Sequence, residues 1–257
     1  GRALSVRKGV FYCIVFLLLA LCFWEPVGSP KDGKLVISTH HTKWSRTDRP
    51  YDKTWFGPDS GYNYYCLKKF LELQYSVTEI NDRITEDSIR DTSVLLIYLP
   101  DKAFSKEELI VIGDFVRRGG GLFLIGDHTN IFGSSTHLNE ICNSMGFYYR
   151  DDVLFDAKGK EVFFQIIFPS KLSPFLLKNM DIYRFRGSCS IQPTSLFTST
   201  IMSLDWSKAL SAIYSVNNFY PAPRDYPMVK TGLFSAAVTA HVGKGRVFAF
   251  GDSTTLS

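Results

Sequence analysis

The chain has 257 residues, 45% hydrophobic and 21% charged, an ordinary globular composition that excludes bulk disorder. The net charge of +4 comes without a dense Lys/Arg stripe interleaved with aromatics, so no nucleic-acid partner is expected. Aromatics reach 15%, which suits core and rim packing or a stacking surface for sugars or a partner protein.

Arg2, Arg7 and Lys8 precede an uncharged run, Gly9–Trp24, closed by Glu25 and Pro26. A sixteen-residue helix spans about 24 Å, a little short of a ~30 Å hydrocarbon core, and snorkelling flanks would cover the deficit. Residues 1–28 are therefore expected to form a signal anchor. The basic flank would hold the N-terminus in the cytoplasm and residues 29–257 outside, giving a single-pass membrane protein with an extracytoplasmic domain. A cleaved signal peptide is the competing reading. The chain opens on Gly1 and stops at Ser257 straight after a strand-like run, so both ends read as cut. Cys66, Cys142 and Cys189 form an odd set without metal spacing, and either one disulfide with a spare thiol or three reduced thiols fits them.

After a linker at 29–34, Leu35–Thr39 reads as a short buried strand. A long polar and aromatic loop follows, with Trp44, Arg46, Arg49, Trp55, Phe56 and Asp59. Gly61–Gln74 has helical spacing, Tyr75–Ile80 reads as a strand and Thr85–Arg90 as a short helix. Ser93–Leu99 is an apolar strand stopped by Pro100. Ser105 with Glu108 three residues on makes a capping box for a helix to about Arg118, and Gly119–Gly121 end it. Leu122–Gly126 is another buried strand, and Ser135–Met145 a helix with Gly146 after it. Alternating strands and helices with continuous apolar strands predict right-handed crossovers and a mainly parallel sheet. Residues 147–235 read as a β-rich insertion or cap, and Arg246–Phe250 as the closing strand.

Ligands of open α/β sheets bind outside the carboxyl ends of the strands. The tips here hold His40 and His41, then Pro100-Asp101, then Asp127, His128, Thr129 and Asn130, and last Asp252 and Ser253. Asp127-His128 could serve as acid/base pair, ligand-binding pair or metal ligands, or could cap a turn. Thr129 and Asn130 are also ordinary turn residues. His137 opens the helix after them. One of His40/His41 with Asp127 and His128 could hold zinc, but no motif spacing supports a metal, and no cofactor is expected. No phosphate-loop lysine is present.

The segment SVLLIYLPDKAFSKEELIVIGDFVRRGGGLFLIGDHTN, with the terminal RVFAFGDSTTLS, resembles class I glutamine-amidotransferase-like domains. The nearer likeness is to their non-catalytic or uncharacterised branches: trehalose-utilisation-like proteins, gliding-motility and transport-associated domains, and the N-terminal domain of an intraflagellar transport protein. The resemblance covers roughly Leu35–Gly146 and Arg246–Ser257. It implies a flavodoxin-like, amidotransferase-like three-layer sandwich. True amidotransferases carry a nucleophilic Cys on the turn that here holds Asp127-His128, so hydrolysis through a thioester is not expected. Two functions follow as expectations. One is a membrane-anchored extracytoplasmic ligand- or partner-binding module of an envelope or transport assembly, its ligand a glycan or a protein, lined by His40, His41, Asp59, Thr129, Asn130, His137, Asp252 and Ser253. The other is a hydrolase of a carbohydrate or amide using Asp127 and His128, with or without a metal.

Overall fold

A computed structural model describes residues 2–22, 31–43, 46–50, 63–155, 165–167, 183–185, 187–214 and 229–256. The chain divides into two units, Gly1–Lys31 and Asp32–Ser257.

The first unit holds helix α1, Arg2–Cys22. Its first turns carry Arg2, Arg7 and Lys8, so its uncharged stretch is Gly9–Cys22, about 21 Å at 1.5 Å per residue. Among the described residues no helix is long and apolar enough to cross a membrane. That finding overturns the expected transmembrane anchor, and the single-pass, extracytoplasmic placement falls with it. The sequence reading counted apolar residues from Gly9 to Trp24, whereas the described helix, Arg2–Cys22, carries its charged start inside itself.

The second unit is mixed α/β, with one eight-stranded sheet in the order β2-β1-β3-β4-β12-β11-β10-β6. The parallel strands are β1 (Lys34–Ser38), β2 (Ser76–Ile80), β3 (Val94–Tyr98), β4 (Gly121–Ile125) and β12 (Gly245–Phe250). Their apolar runs are buried because parallel strands face packed layers on both sides. Three antiparallel strands extend the sheet: β11 (Val229–Val242), β10 (Thr198–Ser211) and β6 (Asp152–Phe155). The mostly parallel centre with helices on its faces is compatible with a three-layer sandwich. Two small ribbons complete it, β5 (Phe147–Tyr149) with β9 (Ile191–Pro193), and β7 (Gln165–Ile167) with β8 (Tyr183–Phe185).

One face of the sheet presents Val36, Leu95, Ile97, Leu122, Leu124, Val247 and Ala249 to helices α3 (Lys106–Arg117) and α4 (Ser134–Cys142). Each such Val, Leu or Ile side chain buried in full stabilises by roughly 1.5–3 kcal/mol. The α3 start is the expected capping box: Ser105 Oγ accepts from Glu108 N at 3.2 Å, and Glu108 Oε2 accepts from Ser105 N at 2.9 Å. The other face carries Leu35, Ile37, Leu96, Tyr98, Ile125 and Phe250. Helix α2 (Tyr65–Glu72) packs there through Leu67 and Leu71. It begins later than the predicted Gly61, of which the structure describes nothing. The expected helix at Thr85–Arg90 is a single 3-10 turn, Asp87–Ile89. Strand β3 stops at Tyr98, two positions before Pro100, because Leu99 has φ +38. Cys13, Cys66, Cys142 and Cys189 are free, so the described cysteines form no disulfide.

Candidate functional site

The strands β4 and β12 end in the same way, a glycine followed by an aspartate: Gly126-Asp127 and Gly251-Asp252. Both glycines lie where no side chain fits. A methyl group at Gly126 would stand 2.7 Å from Tyr149 Cε1, and one at Gly251 2.6 Å from the Cys189 carbonyl oxygen. This close packing carries both aspartates into the interior, with Asp127 2% and Asp252 0% exposed.

Asp127 accepts the His128 backbone N–H at 2.6 Å and the Ser253 hydroxyl. Tyr64, fully buried ahead of α2, donates its hydroxyl to the Ser253 carbonyl at 3.0 Å. Asp252 accepts from Thr254 N at 3.0 Å and Thr255 N at 3.3 Å, which closes the turn after β12. Burial, and then repulsion from Asp252, push the Asp127 carboxyl well above the usual carboxylate range. His128 is 1% exposed. Burial alone holds its imidazole down to about 4, so it is neutral at pH 7. Its Nδ1 meets Thr129 Oγ1 at 2.8 Å, and its Nε2 stands 3.7 Å from Asp127 Oδ1. The loop that follows is bent sharply: Thr129, Asn130 and Phe132 have φ of +52, +50 and +57. Such backbone conformations cost of order 1–3 kcal/mol each and need surrounding contacts to hold them. Tyr214 N–H donates to the Thr129 carbonyl at 2.8 Å. Asn130 exchanges two hydrogen bonds with Thr136, at 2.9 and 3.1 Å, and so caps α4.

The structure thus brings together Asp127, His128, Thr129, Asp252 and Ser253, and adds Tyr64. The other expected residues stand apart. His41 turns to α3, where its Nε2 lies 2.8 Å from Glu108 Oε1 and its ring packs on Phe104 at 4.1 Å. Glu108 also accepts Ile84 N–H at 2.9 Å. Burial pushes that carboxylate up, but the Ser105 N–H, His41 and the Ile84 N–H together hold it below its usual range. His40 is partly exposed, with Nδ1 3.4 Å from the Asn81 carbonyl. His137 lies 3.7 Å from Glu140 along α4. Asp59, Trp44, Trp55 and Phe56 lie outside the described residues. Among those described, no three His, Cys, Asp or Glu side chains are grouped as a metal would need.

A second polar group sits where the strand order reverses, between β1 and β3, the point at which such sheets bind ligands. Asp101 follows β3 with its side chain 5% exposed, 3.6 Å from Lys43 Nζ. Among the described residues neither of its carboxylate oxygens has a hydrogen-bond partner, and the same is true of the buried hydroxyls of Ser38 and Thr42. Beside them a polar cavity of about 250 Å³ is lined by Thr39, Thr42, Lys43, Arg46, Glu79 and Tyr98, among others. Sequence reasoning placed Asp101 at a strand tip but gave it no role, and it missed Tyr64, Lys43 and the second task of Glu108. Tyr64 reaches its partner across 189 positions of sequence, a separation that leaves no local signal.

Residues 52–172, a little under half of the chain, match the family model described as the IFT52 GIFT domain. The solved mmIFT52 N-terminal domain is similar to this chain, with a TM-score of 0.59 and 11% identity over 87% of this chain and 88% of that one. That likeness shows the fold. More distant structures include a putative ThuA-like protein from Bacteroides uniformis, with a TM-score of 0.47 and 14% identity over 88% of this chain and 83% of that one. A cytoplasmic protein, STM3548, from Salmonella typhimurium stands at 0.47 and 12% over 86% and 87%. No curated protein sequence matches the chain.

Proposed function

We propose that the Asp32–Ser257 unit is a non-catalytic partner-binding module of a transport assembly, built on an amidotransferase-like, flavodoxin-like sheet that has lost its nucleophile. The observation that carries this reading is the sealed turn after β4. In an amidotransferase-like domain that turn presents the attacking group, whereas here Asp127 and His128 are 2% and 1% exposed and bonded to their own neighbours. A general acid or base must reach the proton it moves within hydrogen-bond distance, and a buried, neutral His128 behind Asp127 touches no substrate. The similarity of residues 52–172 to the IFT52 GIFT domain supports an assembly of the intraflagellar-transport kind. Among the described residues, the buried side-chain groups without a hydrogen-bond partner include Asp101, Ser38 and Thr42 at the switch point, which offer acceptors and hydroxyls that donors of a partner would satisfy, besides Ser134, Ser135 and one ring nitrogen of His137 along α4.

The intact chain, tagged at its C-terminus and resolved on a native gradient, should travel with a multi-protein complex well above its monomer mass. The purified chain should release no product from chromogenic γ-glutamyl, glycoside and ester substrates. Migration at monomer mass would overturn the partner-binding reading. Turnover abolished in Asp127→Asn with the fold intact would establish the hydrolase reading in its place.

A further inference from the structure

Among the described residues, the face of the sheet that α2 shares is covered unevenly. Over β1, α2 packs through Leu67 and Leu71. At the carboxyl end of β12, the ribbon of β7 and β8 sets Tyr183 and Phe185 on Phe250, with ring centroids 5.7 and 5.4 Å apart. Toward the amino ends of β4 and β12 the same face opens into a groove of about 1240 Å³, floored by Phe123 and Phe248, with Ile201, Leu233 and Phe234 on its β10–β11 side. Phe123 and Phe248 lie 5.2 Å apart and are only partly buried. Leu233 is 68% exposed, and so is 73% of Phe197, whose carbonyl accepts the His241 N–H at 3.1 Å on the groove's rim.

On the opposite face these same strands are sealed by α3 and α4. Sheets with parallel centres are covered on both sides, and an apolar patch open to water marks a contact surface. We propose that this groove takes an amphipathic helix of a protein partner, its apolar stripe inward and carboxylates along its flank. The inference deepens the partner-binding reading and rests on it.

Size and charge both favour such an occupant. At 1.5 Å rise and a diameter of ~10 Å, about ten helical residues fill roughly 1200 Å³, close to the volume of the groove. The ionisable groups among the described lining residues are Arg246 and His241, with no carboxylate beside them. Arg246 is exposed, and while its backbone N–H donates to the Gly120 carbonyl at 3.3 Å, its side chain makes no hydrogen bond or ion pair among the described residues. A helix laid in a groove is held by anchors at i, i+3, i+4 and i+7, and acidic residues beside those anchors would meet Arg246 as the groove's charge requires.

Fluorescence anisotropy with the intact chain and three labelled synthetic fifteen-residue helices tests this. One helix carries Leu and Phe at those anchor positions with Glu flanks. The second has Lys flanks, and the third has Glu flanks with scrambled anchors. The Glu-flanked helix should bind about ten-fold or more tighter than either other peptide, a gap of about 1.4 kcal/mol. Leu233→Glu should weaken it by about ten-fold, as expected for loss of a central anchor, and Arg246→Glu should turn the preference toward the Lys-flanked helix. Both side chains are exposed, so unchanged thermal melting will separate lost binding from lost folding. Equal binding of all three peptides, or none, overturns the proposal. So does a concentration-dependent dimer in sedimentation that Leu233→Glu dissociates, since a second copy would then cover the face. If no peptide binds while the Leu233→Glu chain still travels with the complex on the native gradient, the groove is wrong and the partner-binding reading stands. If the wild-type chain travels alone, that reading falls whatever the peptides do.

Discussion

The two carboxylates at the carboxyl edge of the sheet, Asp127 after β4 and Asp101 after β3, are both nearly out of reach of water yet differ in every contact. Asp127 accepts a backbone N–H and a hydroxyl, and through Ser253 it is tied to Tyr64 and the β12 turn. Among the described residues Asp101 has no hydrogen bond to either oxygen, and the exposed Lys43 ammonium stands 3.6 Å away. Buried polar groups that are satisfied hold a fold together, and those left unsatisfied call for a separate explanation, a ligand or partner among them. On the partner-binding reading proposed above, Asp127 serves the fold, and the tip at the switch point is where binding would occur.

The largest expected effect is on the architectural side. Asp127→Ala leaves the His128 N–H and the Ser253 hydroxyl without an acceptor in the interior, at about 1–3 kcal/mol for each stranded group. Urea unfolding should therefore show a loss of about 3 kcal/mol. Asp127→Asn keeps the shape and one acceptor oxygen, and because the carboxyl is pushed well above its ordinary range, the amide stands in for its protonated form. That variant should stay within about 1 kcal/mol of wild type, the loss of a single net hydrogen bond. Equal losses in both variants would contradict a raised Asp127 and restore a charged, functional carboxylate.

The next effect appears in pH dependence. His128 is held down to about 4 by burial, against an ordinary value near 6.5 in the unfolded chain. The unfolded state therefore binds the proton first, so stability is full above about 6.5 and falls as pH drops toward about 4, by roughly 3 kcal/mol. Asp127 works with the opposite sign. Its folded value is raised, so its contribution is full below the ordinary carboxylate range and is lost as pH rises through the folded value. His128→Gln removes the first slope and leaves the second. The difference between the wild-type and His128→Gln stability curves should thus shrink steadily from pH 6.5 to pH 4. Parallel curves across that window would mean that His128 titrates as an exposed histidine, and would reopen the turn to catalysis.

Much of this arrangement is legible in the sequence, and the parts that are not share one cause. The apolar runs at Leu95–Ile97 and Leu122–Ile125 announce buried parallel strands, and Ser105 with Glu108 announces the start of α3, because both signals are local. Strand tips follow from strands, so Asp127, Asp252 and Asp101 could be placed at one edge. Whether a tip residue is closed or open depends on what returns to it from far away. Ser253 meets Asp127 across 126 positions, and His41 meets Glu108 across 67, so Glu108 reads as a cap and His41 as a ligand until the chain is folded. The Gly9–Trp24 run misled for a different reason. Apolar composition reports avoidance of water, whereas crossing a bilayer needs uninterrupted helical length, and the described α1, Arg2–Cys22, has its charges already inside it.

The smallest effect is the sharpest discriminator. If Asp101 were architectural like Asp127, removing it would be costly. Among the described residues its oxygens accept no hydrogen bond, however, and an ion pair to a Lys43 side chain that is 71% exposed is worth about 0–1 kcal/mol. Against that small gain stands the cost of keeping a carboxylate out of water without donors, about 1–3 kcal/mol. Asp101→Ala should therefore leave stability unchanged or raise it by about 0.5–1 kcal/mol, the sign found where a residue is kept for function at the fold's expense. The same substitution should reduce co-migration with the complex on the native gradient, whereas Asp127→Asn should not. Destabilisation of Asp101→Ala by more than about 1 kcal/mol, beyond what an exposed ion pair supplies, would show donors around Asp101 that the fold itself provides, and would put both strand tips in the same structural class.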